Sequence, residues 1–210
     1  MKFKYLAIGT IAASMLYSCG GGTTETAATA EVEKEATTIE SATYSVDAAG
    51  SEVVWKGEVA GVYGHFGTIA ISNGSLDISN NEITGGKFTI DMTTITPKDE
   101  GYKDEDGSRA SDLVGHLSTG DFFLVDSFPT STFVIKSYEA GKLKGDLTVR
   151  GITKEETIEV SSLEVTENGI NAKGKLVFNR QDYDVKWVHY MKDMILSDDI
   201  SAEISLSAKI

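Results

Sequence analysis

Residues 87–93 read KFTIDMT, and this short stretch carries the pattern that decides the fold. Phe88, Ile90 and Met92 are apolar, and the residues between them are polar. In a β-strand successive side chains point to opposite faces, so an apolar residue at every second position marks a strand with one buried and one wet face. The stretch therefore predicts an amphipathic strand that turns these three side chains toward a core.

The same alternation recurs along most of the chain. The apolar pairs and runs are Val53 with Trp55, Ile69 with Ile71, Leu76 with Ile78, Phe133 with Ile135, Leu147 with Val149, Ile158 with Val160, Leu176 with Phe178, and every second residue from Ile200 to Ala208. Turn-forming pairs such as Asn73-Gly74, Asn80-Asn81, Gly85-Gly86, Ala140-Gly141 and Asn168-Gly169 separate them. Several such strands in succession, without intervening long helices, predict an all-β antiparallel barrel or sandwich.

One segment departs from the two-residue period. Ser111 is a candidate N-cap, and Leu113 and Leu117 are spaced as neighbours on one helix face. This predicts a short helix near residues 111–118, lying across an opening of the barrel or along its flank. The polar residues 97–107 before it predict a solvated loop.

The N-terminus has the features of a bacterial lipoprotein. Lys2 and Lys4 precede an apolar run at 5–16, which is too short to span a bilayer and is typical of a signal peptide. The run ends in LYSCG, which resembles a lipobox, and Cys19 is the only cysteine of the chain. We therefore predict a lipoprotein signal peptide over 1–18 and lipidation at Cys19.

The residues after Cys19 predict a tether. Residues 20–43 are small, polar and acidic without apolar periodicity, a composition typical of disordered segments. We therefore predict that 19–43 holds the lipidated Cys and an acidic tether, and that 44–210 is the folded domain. Because neutral GGG follows the Cys, we expect a cell-envelope location, lipid-anchored at the periplasmic face of the outer membrane, with surface exposure as the alternative.

Composition excludes several functions. The formal net charge is −13, which disfavours nucleic-acid binding because that affinity depends on Lys and Arg. The three histidines lack metal-site spacing, and residues 102–113 fail as a calcium loop because Leu113 stands where a Glu ligand is needed. No Gly-x-Ser-x-Gly nucleophile elbow or phosphate-binding loop occurs. We therefore predict a protein that is not an enzyme and has no metal and no cofactor.

Several ordered motifs resemble the YceI-like family. Residues 116–133 read HLSTGDFFLVDSFPTSTF and resemble its most characteristic segment. The stretches GDLTVRGITK at 145–154 and FNRQDY at 178–183 are similar to later motifs, and the resemblance covers essentially 44–210. It implies an extended, eight-stranded, lipocalin-like antiparallel barrel with a helix, whose bore binds polyisoprenoid or another long-chain amphiphilic lipid.

The inward-pointing set supplies the candidate ligand contacts. The predicted bore residues are Val53, Trp55, Phe88, Ile90, Met92, Phe133, Ile135, Leu147, Val149, Leu176 and Phe178. At the mouth or plug we expect Leu113, Leu117, Phe122 and Phe123. His116 and Arg180 are candidates for headgroup contact or for a purely structural role.

Two functional classes stay open at this point. The first is a non-enzymatic periplasmic lipoprotein that carries, stores or sequesters a long apolar ligand, with the membrane as a second partner through Cys19. The alternative is an envelope interaction module whose solid barrel core supports binding of a protein partner. A homodimer stays open in both.

Overall fold

The computed structural model describes residues 40–189, 191 and 194–210. The predicted signal peptide at 1–18, the lipidation site Cys19 and the predicted tether as far as residue 39 lie outside the described residues. The described part covers the predicted folded domain at 44–210 apart from residues 190, 192 and 193.

The strands follow one another with short connections. They are β1 (Ser41–Val46), β2 (Glu52–Val59), β3 (Tyr63–Ser79), β4 (Glu82–Pro97), β5 (Thr130–Glu139), β6 (Lys142–Val149), β7 (Ile152–Thr166), β8 (Gly169–Asn179) and β9 (Asp199–Lys209). A single α-helix in the described residues, α1 (Ala110–Ser118), stands between β4 and β5, and short 3-10 helices lie at Ala48–Gly50 and Arg180–Tyr183.

The strands from β2 to β9 form an up-and-down meander in which each pairs antiparallel with the next. β9 then pairs with β2, from Glu52 opposite Ser205 to Lys56 opposite Ser201, and this pairing closes the sheet. The predicted eight-stranded antiparallel barrel with one helix is confirmed, and closure decides between the barrel and the sandwich that alternation alone had left open.

β1 occupies the same place between β3 and β9 as β2 does, but further along the barrel. It pairs with the far half of β3 and briefly with β9, and the 3-10 turn at Ala48–Gly50 separates it from β2. β1 begins at Ser41 rather than at the predicted boundary of 44. The start at Ser41 follows from pairing, because Ala42 lies opposite Ile78 and the Thr43 hydroxyl donates to Asp77 Oδ1 at 2.7 Å.

Two predicted turns are wrong. Asn73-Gly74 lies inside β3 and Gly85-Gly86 lies inside β4, and each pair is next to a register shift between these strands. A bulge adds one residue to a strand, so the inward face passes from odd positions such as Ile71 to even positions such as Leu76. The broken alternation looks like two strands in the sequence but belongs to one long strand.

The helix forms where it was predicted, but its start differs. Arg109 is the N-cap residue instead of Ser111, and the Asp112 carboxylate accepts the Arg109 and Gly107 amides, both at 2.9 Å. Asp112 therefore ties the loop before the helix to its first turn and also interacts favourably with the positive end of the helix dipole.

The buried apolar residues form two clusters. The larger extends along the barrel interior to the end away from α1, where Tyr44, Ile78, Ile170 and Ala208 are almost completely buried. The smaller lies under α1, where Leu117 packs with Met92, Ile95, Phe122, Val125 and Val185. We call these two ends the far end and the helix end.

Gly86 provides a test of the β3–β4 pairing. Its φ is +141°, and a Cβ there would lie 2.3 Å from the Ser75 carbonyl oxygen, so Gly86→Ala combines a strained backbone with a backbone clash. We expect the free energy of unfolding to fall by about 1–3 kcal/mol from the backbone strain, and further because of the clash. Urea denaturation measures this loss.

The matched control is Gly57→Ala in β2, where a Cβ meets no atom within 4 Å. We expect its free energy of unfolding to change by less than about 0.5 kcal/mol. Equal stability of the two variants would show that β3 and β4 do not approach each other as described.

Candidate functional site

A cavity of about 350 Å³ lies within the barrel. All of the strands from β2 to β9 contribute to its wall, and most of the lining side chains are apolar. Tyr44, Ile78, Ile170 and Ala208 are buried beyond the cavity without lining it, so the far end is packed. The volume lies in the range of small-molecule binding sites.

Most of the residues that were predicted to point inward lie on the cavity wall. Those that line it are Val53, Trp55, Phe88, Ile90, Met92, Leu113, His116, Leu117, Phe122, Phe123, Phe133, Leu147, Val149, Leu176, Phe178 and Arg180. Their contact with a ligand stays a prediction.

Ile135 is the exception among the predicted wall residues. It belongs to the larger apolar cluster and is 6% exposed, but it does not line the cavity. It is flanked across the sheet by Gly86 and Gly145, which leave room for close packing around it. Its alternation with Phe133 correctly predicted burial, and its contact with a ligand stays a prediction.

The helix end supplies the mouth. Leu113 and Leu117 pack from α1, and the chain after the helix adds Phe122 and Phe123. Trp187 completes this group, with its ring centroid 5.6 Å from that of Phe122. Trp187 and Leu196 come from the segment between the 3-10 helix at Arg180–Tyr183 and β9, which we call the irregular segment. No alternation of apolar residues in the sequence could have pointed to them.

His116 occupies a mainly aromatic setting at the mouth. Its ring meets Phe122 and Trp187 edge to face, with centroids 5.0 Å and 5.1 Å away. Its Nε2 lies 3.4 Å from Asp121 Oδ2, and the side chain is about one-third exposed. His116 is thus positioned by α1 and by two aromatic rings, and it lines the cavity as well.

Arg180 is almost entirely buried, at 3% exposure, and its guanidinium is used by the protein itself. Nε donates to the Ser197 carbonyl at 2.9 Å, and Nη1 donates to the carbonyls of Val185 and Trp187. Nη2 donates to Asp198 Oδ1 at 3.1 Å. Burial lowers the pKa of this guanidinium, and Asp198 partly offsets the effect. Because Nε, Nη1 and Nη2 all donate to groups of the protein itself, the geometry favours the structural role over headgroup contact.

A second arginine, not selected from the sequence, acts in a similar way. Arg150 Nη1 donates to the carbonyl oxygens of Phe122 at 2.6 Å, Asp184 at 2.7 Å and Gly120 at 3.2 Å. It therefore joins the β6–β7 turn to the chain after α1 and to the start of the irregular segment. The two arginines together hold the backbone around the mouth.

A polar cluster missed by the sequence analysis lies on the other side of the mouth. His65 lines the cavity, and its Nδ1 is 2.8 Å from Asp99 Oδ2 and 3.3 Å from the Tyr102 hydroxyl. Partial burial raises the pKa of the Asp99 carboxyl, but hydrogen bonds from His65, Tyr102 and the Phe66 amide outweigh it and lower the pKa overall. Burial and Asp99 raise the pKa of the Tyr102 hydroxyl.

Within the described residues no group of three or more His, Cys, Asp or Glu side chains could hold a metal ion. In the same part of the chain, no helix has the length and apolar character needed to cross a bilayer.

Comparison with known families gives one match that covers most of the chain. A family model described as the YceI-like domain matches residues 44–208. UPF0312 proteins of Staphylococcus aureus strains MSSA476, MW2 and USA300 are each 38% identical to the chain over 104 residues. That region is 44% of this chain and 61% of each relative, so the chain spans less than two-thirds of their length.

Two solved structures share the fold. BcnA of Burkholderia cenocepacia has a TM-score of 0.60 at 20% identity, covering 78% of this chain and 99% of BcnA. A polyisoprenoid binding domain from Saccharophagus degradans, implicated in plant cell wall breakdown, has a TM-score of 0.51 at 12% identity. It covers 79% of this chain and 97% of that domain.

Arg180 provides a test of how the mouth is held. Arg180→Met keeps an unbranched apolar stem but leaves the carbonyls of Val185, Trp187 and Ser197 without this donor. Hydrogen bonds to charged groups contribute about 1.5–3 kcal/mol each, so we expect a loss of at least this size in the free energy of unfolding.

The control is Lys186→Met, which removes an exposed cation paired with Asp184 at 2.7 Å. Exposed ion pairs contribute about 0–1 kcal/mol, so this variant should unfold at nearly the parent urea concentration. If Arg180→Met is no less stable than Lys186→Met, Arg180 does not hold the mouth.

Proposed function

Because the chain belongs to the YceI-like family and its barrel encloses an apolar cavity, we propose that it binds a long-chain apolar ligand in the bore. The observation that carries this proposal is the cavity itself, with its wall of apolar side chains and its mouth at the helix end. We propose a polyisoprenoid or similar amphiphilic lipid as the ligand class. The shared fold of the polyisoprenoid binding domain from Saccharophagus degradans supports this choice.

The energetics favour a long ligand. Burial of a CH₂ group is favourable by about 0.8 kcal/mol, whereas association costs about 4–15 kcal/mol in lost freedom of motion. A chain of roughly twelve carbons or more is therefore needed before burial outweighs a mid-range cost. Leu, Ile and Phe side chains make up most of the apolar lining, and Met92 can adapt to an irregular chain.

In this proposal the protein carries, stores or sequesters the lipid and catalyses no reaction. The alternative, an interaction module with a solid core, is less favoured because the barrel contains a cavity. We further propose that the protein is a lipoprotein held at the periplasmic face of the outer membrane through Cys19. The order of charged residues, apolar run and sole cysteine at the N-terminus supports this location.

The bore is tested by filling it. Ile90 lines the cavity and is half-buried, so Ile90→Trp places a larger side chain where the ligand would lie. We expect lipid to co-purify with the parent protein and to be largely lost from the variant, as measured by native mass spectrometry of protein extracted from membranes. The free energy of unfolding should change by less than the roughly 1–3 kcal/mol typical of an overpacked core.

The matched control is Val177→Trp, which adds the same side chain on the outer face of β8 at a position that is 45% exposed. This variant should retain the lipid. Absence of lipid from the parent, together with strong destabilisation by Ile90→Trp, would contradict the carrier proposal and support a solid core.

The anchor is tested by metabolic labelling with radioactive palmitate. Cys19→Ser removes the only thiol of the chain, so we expect no incorporation of label. Ser18→Ala keeps a small residue before the Cys and should be labelled like the parent. Label retained in Cys19→Ser would contradict lipidation at this position.

A further inference from the structure

Exposed apolar side chains are concentrated around the mouth of the barrel. Of the nine large apolar side chains that are exposed in the described residues, six belong to two stretches that border this opening. They are Val62, Tyr63 and Phe66 from the β2–β3 hairpin, and Val188, Met191 and Ile195 from the irregular segment before β9. We call these six residues the apolar rim.

We propose that the apolar rim docks onto the surface of a lipid bilayer, so that a ligand passes between the membrane and the bore without crossing water. Contiguous exposed apolar surface on a soluble domain marks an interaction site. Three observations favour a membrane as the occupant of this surface.

The first observation is that the rim is continuous with the cavity. Tyr63 belongs to both, since it is 43% exposed and also lines the cavity. Val59 and Leu196 form an isolated antiparallel bridge and line the cavity together. The Ala60 amide donates to the Ile195 carbonyl at 2.8 Å, which holds the two stretches of the rim side by side.

The second observation is that the rim stretches carry no net charge in a strongly acidic protein. Residues 60–64 read AGVYG, and residues 187–197 read WVHYMKDMILS, in which the only charged residues are one Lys and one Asp, whereas the whole chain has a net charge of −13. The nearest charged side chains on β2, Lys56 and Glu58, pair with each other. A surface without net charge that carries Tyr and Phe among aliphatic residues suits the headgroup region of a bilayer.

The third observation concerns the reach of the N-terminus. Ser41 pairs with Ser79 at one end of β3, and the rim begins at Tyr63 at the other end. β3 has 17 residues and is about 56 Å long. With the anchor at Cys19 that we propose, the chain from Cys19 to Ser41 can extend over at most about 70–80 Å. An anchored molecule can therefore place its far end away from the membrane and its rim against it.

The test uses tryptophan fluorescence in the full protein mixed with or reconstituted into phosphatidylcholine vesicles. Val62→Trp and Ile195→Trp each add a fluorophore at the rim, at positions that are 56% and 68% exposed. The emission that each substitution adds to that of Trp55 and Trp187 is compared between ordinary lipid and lipid brominated on its acyl chains, which quenches tryptophan. Insertion to a depth of about 5–10 Å should remove roughly half of the added emission.

The matched control is Val134→Trp on the outer face of β5, which is 40% exposed and lies outside the rim. It shares any lipid anchor with the other variants, so quenching at the rim with none at this control supports docking. Equal quenching at all three positions, or at none, would overturn the proposal. Burial of the rim in a homodimer would also overturn the proposal. Sedimentation velocity of the same protein would detect such a dimer.

This outcome is independent of whether the bore binds lipid. Retention of lipid is measured separately by native mass spectrometry of the parent protein. A protein that retains lipid while its rim stays unquenched would keep the carrier function and lose the docking surface.

Discussion

The pairing of β2 with β9 is the constraint on which the rest of the structure depends. Among the strands from β2 to β9, every other pairing joins strands that are neighbours in sequence, whereas this one brings Glu52 beside Ser205. Next to it, Ser51 Oγ donates to the Asp47 carbonyl at 2.8 Å and accepts the Ser207 amide at 3.0 Å, while Lys209 Nζ pairs with Asp47 at 2.5 Å. These contacts stabilise a seam that must offset the entropy of closing a long loop. Without the seam, the inward faces of the strands would not enclose a common space.

Closure also explains why the interior contains a cavity. An eight-stranded barrel has an interior just wide enough for side chains to fill it or to leave room for one small ligand. Here the far end is filled, with Tyr44 fully buried and its hydroxyl donating to the Thr166 carbonyl at 2.9 Å. The long strands β3, β4 and β7 extend the wall beyond this packed end. The remaining length is lined by apolar side chains and covered by α1.

The sequence was sufficient for features that depend on a local period and insufficient for those that depend on distant contacts. Phe88, Ile90 and Met92 could be assigned to the inside because they alternate, and Leu113 and Leu117 because they share a helix face. Bulges hid the length of β3 and β4, since one extra residue reverses the alternation. The partners of Arg180 come from residues 185–198, where no period exists, so its role could not be chosen. His65 meets Asp99 only because β3 and the loop after β4 are brought together by the fold.

The two arginines at the helix end connect stability with binding. A segment without strand partners leaves carbonyl groups that need donors, and burying them unpaired is costly. Arg150 in the β6–β7 turn and Arg180 in the 3-10 helix after β8 supply these donors, so Phe122 and Trp187 are held in place before any ligand arrives. A mouth that is already ordered loses little conformational entropy on binding, which leaves more of the apolar burial for affinity. The two cations at the helix end are thus engaged with the backbone, so in the proposed function the bore would select its ligand by length and apolar shape rather than by charge.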